Sequence, residues 1–206
     1  MNILKLYYEE ALRTFRESGG GEEDFYWLVG SLLARYPSYR EELEIRKRLM
    51  EMITDEVKGK VLDVGCGTGV LTFKMALKNG VEMVVGVDRK EEVIEFCNRL
   101  GDRVTKNAKF VQGNFLEMGL DEKFDSVVFS YVLHDFEPEP FLERALEVLE
   151  EGGRVIVGDF DINDLRKRIR EFARWKGVKI VKGVTVGRAE SHGDLREAFL
   201  MVVERL

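Results

Sequence analysis

Apolar residues recur at three- and four-residue intervals through the first 58 positions, the spacing of one helical face. Leu4, Tyr7, Tyr8, Ala11, Leu12 and Phe15 predict a first helix, ended by the serine and glycines at 18–21. Phe25, Leu28, Val29, Leu32 and Leu33 predict a second, which stops before Pro37 because proline disfavours helical geometry in the residue ahead of it. Ser38 with Glu41 forms a capping box for a third helix through Leu43, Leu49, Ile53 and Val57. From residue 59 the pattern changes. Short apolar runs at 61–64, 81–88, 108–112, 124–130 and 154–160 alternate with helical segments at 70–77, 89–100, 138–149 and 162–175. Such continuous runs are strands buried on both faces, so the alternation predicts an α/β domain around a parallel sheet. Gly101 marks the end of the 89–100 helix. Pro138 opens the next, with Leu142, Ala145, Leu146 and Leu149 on its buried face. Two last strands, around 178–186 and 197–203, are joined by a turn region at 187–194. The chain divides into an N-terminal helical extension, 1–58, and an α/β domain, 59–206.

The stretch at 61–72, VLDVGCGTGVLT, carries the first chemistry. A strand, a turn with glycine at 65, 67 and 69, and a helix make the first half of a nucleotide-binding βαβ unit. Glycine admits positive φ and lets a ligand approach where a Cβ would collide. Spacing then chooses between folds. A dinucleotide fingerprint needs glycine at position 70, where this chain has Val70, so a nicotinamide dehydrogenase is disfavoured. No Gly-Lys-Ser/Thr triplet follows the glycines, which excludes a P-loop. Asp88, 19 residues beyond Gly69, ends the second strand at the interval where an acid meets ribose hydroxyls.

Residues 63–69, Asp-Val-Gly-Cys-Gly-Thr-Gly, closely resemble the first motif of class I S-adenosylmethionine (SAM)-dependent methyltransferases. The resemblance covers roughly 59–206 as an ordered series of units and does not extend to 1–58. It implies a Rossmann-like, seven-stranded, mostly parallel sheet with helices on both faces, the last strand antiparallel and inserted between the fifth and sixth. It implies SAM as cofactor and methyl transfer as the activity. The cofactor set would be Asp63, Gly65, Cys66, Gly67, Gly69, Asp88, Arg89, Asn114, Phe115 and Ser130. Asn114 departs from the family's usual acid at that place. Its side-chain carbonyl can still accept from the adenine amine, without bringing a charge. Phe115 lies against the adenine ring or serves only as core.

The segment 130–136 follows the fourth strand and resembles the Leu-His-Asp/His-aromatic stretch of methyltransferases acting on small molecules. Ligands bind at the carboxyl ends of strands in open α/β sheets, so this segment borders the transferable methyl. His134 is the first candidate for base or substrate orienter, with a structural hydrogen bond as its bland reading. Tyr131 is a second candidate, orienting an amine through its hydroxyl or ring face. Tyr7 or Tyr8 would contact substrate if the N-terminal helices form a lid, and His192 would do so from the last turn.

Composition changes the picture only at its edges. The 206 residues are 45% hydrophobic and 34% charged, which reads as a folded globular chain. No apolar run approaches the ~18 residues of a membrane span, and the acidic residues near the start argue against a signal peptide. Two cysteines, Cys66 and Cys97, make no disulfide framework, and no Cys/His cluster suggests a metal, so a cytoplasmic protein is the default. A single glutamine beside abundant Lys, Arg and Glu resembles thermophilic usage. Net charge is −6, yet 162–206 hold 11 basic against 6 acidic side chains. That basic segment leaves RNA or protein as an alternative acceptor to the favoured small molecule, although it lacks interleaved stacking aromatics. From another class, a SAM-binding regulatory module without turnover fits the same motif. Oligomeric state is not legible.

Overall fold

The buried runs pair into one seven-stranded sheet in a computed structural model, which describes residues 3–191 and 193–206. The strands are β1 (Gly59–Val64), β2 (Val81–Asp88), β3 (Ala108–Gln112), β4 (Phe124–Ser130), β5 (Leu149–Phe160), β6 (Lys179–Ser191) and β7 (Asp194–Glu204). Their order is β3-β2-β1-β4-β5-β7-β6. β7 runs antiparallel to β5 and β6, and the others are parallel. The seven-stranded arrangement with β7 inserted is therefore as expected. Because both faces of such a sheet are apolar, both must be covered.

Helices α5 (Pro138–Val148) and α6 (Leu165–Lys176) cover one face, burying Leu142, Ala145, Leu165, Ile169 and Phe172 against Leu62, Val127, Val155 and Phe199. The other face takes α2 (Glu22–Glu56) and α3 (Val70–Ala76), through Leu49, Ile53, Leu71 and Met75 on Val61, Val128, Ile156 and Leu200. Close approach of α2 requires Gly158, where an added Cβ would sit 2.6 Å from Ile53 Cδ1 and 3.1 Å from Leu49 Cδ1. A third cluster joins Cys66, Phe73 and Phe110 to Ile94, Cys97, Leu100 and Val104 of α4 (Glu91–Val104). Onto α4 packs α1 (Ile3–Glu17), held by Glu10. That carboxylate is buried and accepts from Arg99 Nε at 2.6 Å, while Arg99 Nη2 donates to Thr14 Oγ1 at 3.1 Å.

Several boundaries differ from the sequence expectation. The predicted second and third helices are one helix, α2, which runs through Pro37. Proline removes one backbone donor and crowds the carbonyl of Leu33. Both residues are exposed, so water can satisfy that carbonyl and the break is not enforced. The side chain of Ser38, half of the expected capping box, lies outside the described residues. α4 continues past Gly101 to Val104, because Leu100 and Val104 both reach the third cluster and outweigh the cost of a helical glycine. Leu149 opens β5 rather than closing α5, and Val148 takes the buried place at the helix end. α6 begins at Leu165, after Asn163 and Asp164 take left-handed backbone, rather than at 162. The last hairpin is longer than expected, pairing through Ser191 and Asp194, so most of the region 187–194 is strand. Its tip residue His192 lies outside the described residues.

Two measurements check this packing. Gly158→Val should lower unfolding free energy by about 1–3 kcal/mol through overpacking against α2, read from the denaturant midpoint; an unchanged midpoint would mean α2 is not seated there. Glu10→Ala removes the acceptor of a largely desolvated ion pair, so proteolysis around residues 1–21 should accelerate while the sheet's amides stay protected. Equal cleavage rates would show that Glu10 does not hold α1.

Candidate active site

The strand order reverses between β1 and β4, and a crevice opens beyond the carboxyl ends of the strands at such a reversal. A cavity of about 350 Å³ lies there. Its wall comes from four strand ends and α5. β1 gives Val64 and Gly65, β2 gives Val87, Asp88, Arg89 and Lys90, and β3 gives Gly113, Asn114 and Phe115. The segment after β4 gives Tyr131, Val132, Asp135 and Phe136, and α5 gives Phe141.

The glycine turn sits at the end of β1 with Gly65, Gly67 and Gly69 all at positive φ, +73°, +51° and +76°. At Gly65 a Cβ would fall 2.5 Å from Val132 Cγ2, so glycine is needed for the close approach of the β4 segment. At Gly67 a Cβ would meet nothing within 4 Å, which leaves open space above the turn. The turn is braced from three sides. Gly67 N–H donates to Asp88 Oδ2 at 3.1 Å, Cys97 Sγ donates to the Gly67 carbonyl at 3.3 Å, and the Tyr7 hydroxyl donates to the Thr68 carbonyl at 2.9 Å. Asp88 Oδ1 accepts from Lys90 N–H at 3.1 Å, so each of its oxygens carries a backbone donor.

Six expected residues line the cavity together: Gly65, Asp88, Arg89, Asn114, Phe115 and Tyr131. Gly67 and Gly69 shape the turn outside its wall. Asp63 is buried behind the turn, where burial pushes its carboxyl up to about 6 while the Thr72 hydroxyl, donating at 2.6 Å, opposes the shift. Cys66 is also buried, and burial beside Asp63 pushes its thiol well up. Ser130 is half-buried at the end of β4. Asn114 Oδ1 accepts from Leu116 N–H at 3.2 Å, and Phe115 stacks on Phe141 with centroids 6.2 Å apart. Phe115 therefore belongs both to the core and to the cavity wall.

Tyr7 braces the turn from the α3–α4 side, against Phe73 and Phe96, and is not part of the cavity wall. Tyr8 is exposed in a cleft between α1 and α2. The structure does not bring either tyrosine to the cavity.

Two features around the segment after β4 were not foreseen. Tyr131 has φ +56°, a left-handed conformation costing about 1–3 kcal/mol for a residue other than glycine. Its hydroxyl is buried with no hydrogen-bond partner among the described residues, its ring lies under the Arg46 guanidinium at 4.0 Å, and burial pushes its hydroxyl above the usual tyrosine range. The second is Asp159, fully buried at the end of β5. His134 Nδ1 sits 2.6 Å from Asp159 Oδ1, and that hydrogen bond raises the imidazole above its ordinary 6.5 against the opposing effect of burial. His134 itself is not part of the cavity wall, whereas its neighbour Asp135 is. An acid at the carboxyl end of a buried strand, the signal that marked Asp88, would have singled out Asp159.

A family model described as a methyltransferase domain matches residues 55–197. Among curated relatives, the demethylmenaquinone methyltransferase of Lactococcus lactis is 31% identical over 124 residues, covering 58% of this chain and 49% of that protein. An uncharacterised methyltransferase of Bacillus mycoides is 25% identical over 144 residues, 68% of this chain and 66% of its own length. The chain thus spans about half to two thirds of these relatives. Among solved structures, the N-methyltransferase NodS of Bradyrhizobium japonicum superposes with a TM-score of 0.63 at 18% identity, covering 82% of this chain and 97% of that one. NodS has also been crystallised with S-adenosylhomocysteine, and that form gives a TM-score of 0.62 at 18% identity over 82% of this chain and 88% of its own. Identity at this level speaks for the fold alone. With the family model covering well over half of its length, the chain belongs to the methyltransferase-domain family of class I, whose cofactor is S-adenosylmethionine.

Proposed function

We propose that this protein transfers the methyl group of SAM to a small-molecule O, N or C acceptor. The observation that carries the reading is a cavity at the carboxyl edge of the sheet, bounded by the glycine turn and Asp88 on one side and by 131–136 on the other. The residues fit the cofactor. Asp88 can accept from ribose hydroxyls, Asn114 offers a carbonyl to an adenine amine, Phe115 and Phe141 supply apolar faces, and the space above Gly67 admits a backbone-close ligand. When bound, SAM supplies an electrophilic sulfonium methyl that an acceptor displaces in line. The protein's own contribution is orientation in a cavity walled by Tyr131, Phe136 and Phe141, an effect worth up to about 7–11 kcal/mol at the extreme. Tyr131, kept protonated by burial, is a hydrogen-bond donor on the acceptor side. A small acceptor also agrees with the name of the Lactococcus relative.

The basic segment motivates a second reading, an RNA or protein acceptor. Much of that charge is already neutralised. Arg168 pairs with Glu137 and Glu139, Arg166 with Glu197 at 3.1 Å, Lys176 with Glu143 at 2.6 Å, and Arg188 with Glu197. Pairing of Arg166, Arg168 and Lys176 thus lowers the gain from counterion release along α6.

Asp88→Ala should weaken SAM binding by about 1–3 kcal/mol, through loss of charge-assisted hydrogen bonds, in calorimetric titration of a variant with an unaltered circular-dichroism spectrum. Unchanged affinity would misplace the cofactor. A metabolite extract incubated with the protein and SAM should yield S-adenosylhomocysteine and one methylated small molecule by mass spectrometry. Salt-sensitive RNA retardation with methylated RNA would favour the second reading, and SAM binding with no turnover against any acceptor would leave a regulatory module.

A further inference from the structure

Asp159, at the end of β5, turns both carboxylate oxygens into the segment that follows β4. Its Oδ2 accepts from the backbone N–H groups of Leu133 at 3.0 Å and His134 at 3.3 Å. Its Oδ1 accepts from the Phe160 N–H at 2.8 Å and meets His134 Nδ1 at 2.6 Å. A carboxylate oxygen in that place accepts, so Nδ1 carries the proton and the lone pair of the neutral ring is on Nε2. Nε2 lies 3.6 Å from Asp135 Oδ1. The His134 side chain is only 8% exposed and is absent from the cavity wall, while the Asp135 side chain is 67% exposed and forms part of that wall. Three side chains thus stand in line from the buried end of β5 to the cavity.

Other wall groups do not offer the same service. Asp88 and Asn114 belong to the side of the wall proposed for the cofactor, and burial keeps the Tyr131 hydroxyl protonated. We propose that Asp135 and His134 form a proton route out of the cavity: Asp135 meets the O–H or N–H of the methyl acceptor, His134 Nε2 receives the proton behind it, and Asp159 holds the ring. The proposal rests on the methyltransferase reading and narrows the acceptor to a protic heteroatom, a hydroxyl or an amine.

The balance is simple. As the acceptor's lone pair forms the new bond to the methyl carbon, the electron pair of the broken carbon–sulfur bond stays on sulfur. The acceptor's proton passes to a carboxylate oxygen of Asp135, then to Nε2, which restores Asp135 and leaves an imidazolium between two carboxylates. Water takes that proton after product leaves. A separation of 3.6 Å is too long for a hydrogen bond, and catalytic contacts commonly tighten only when ligands are bound. The exposed Asp135 side chain has freedom to close it. Among the described residues, the charged groups facing the ring include Asp159 from β5 and Asp135 beside it, which raise its proton affinity, and Arg46 from α2, which lowers it. The net effect is a rise above the ordinary imidazole value.

The test is nuclear magnetic resonance of the full chain with labelled histidine, where His134 is assigned by its loss in His134→Gln. Wild type should show the Nδ1–H tautomer at high pH and a titration midpoint above 6.5. Asp135→Asn, on an exposed side chain, should lower that midpoint. Asp159→Asn should lower it further and move the neutral proton to Nε2. With the acceptor found in the metabolite screen, kcat should rise with pH through the wild-type midpoint, because only the neutral ring accepts. Asp135→Asn should lose at least tenfold in kcat. An unmoved midpoint in Asp135→Asn, retained turnover in that variant, or an acceptor with no proton to lose would each overturn the route. Calorimetry on wild type keeps the two readings apart: absence of SAM binding sinks the methyltransferase reading, whereas normal SAM binding with an unmoved midpoint sinks only the proton route.

Discussion

A parallel sheet is apolar on both sides, and that one constraint organises the molecule. Each of β1, β4 and β5 alternates its side chains between two separate cores, Leu62 and Val64 facing α5 and α6, Val61 facing α2 and α3. Covering both faces leaves only the strand ends free to meet a ligand. The cavity's position at the carboxyl edge is therefore a result of packing, and the chemistry is grafted where packing stops. Even α1 obeys the constraint indirectly, since it packs on α4 rather than on the sheet and reaches the glycine turn from outside.

Around that cavity the chain accepts local costs that the core avoids. Tyr131 is strained and its hydroxyl has no partner among the described residues. The Asp63 carboxyl is held in a place that resists its ionisation. The Asp159 carboxylate is fully buried but satisfied by three backbone donors and one ring nitrogen. The contrast separates two roles for buried polar groups. Asp159 is fully compensated and fixes geometry, while Tyr131 is uncompensated and is a donor that a bound molecule could satisfy.

The strands were legible in sequence because burial on both faces writes continuous apolar runs: β2, β3 and β4 have the predicted limits. The glycine turn was legible because only glycine meets both its dihedral angles and the approach of Val132. What local rules missed was decided by distant partners. Pro37 reads as a stop, but nothing else in its exposed surroundings enforces one. Gly101 reads as a stop, but Val104 has a core to reach. In the turn after β4, sequence singled out His134 while Asp135 is the residue that lines the cavity, because the 3₁₀ turn Leu133–Asp135 assigns adjacent residues to different surroundings and no periodicity of three residues reveals which faces the cavity. Asp159 went unnoticed because its importance lies in a contact with a residue 25 positions away.

The Val132 methyl occupies the volume that a side chain at Gly65 would need. The glycine turn after β1 and the segment after β4 are thereby keyed together like a tongue in a groove. Neither can be displaced by much without driving the other, so the two sides of the cavity meet in a single seam. Under the proposed function, acceptor preference would be set on the outer wall, at the exposed Asp135 and Phe136, whose side chains lie clear of that seam.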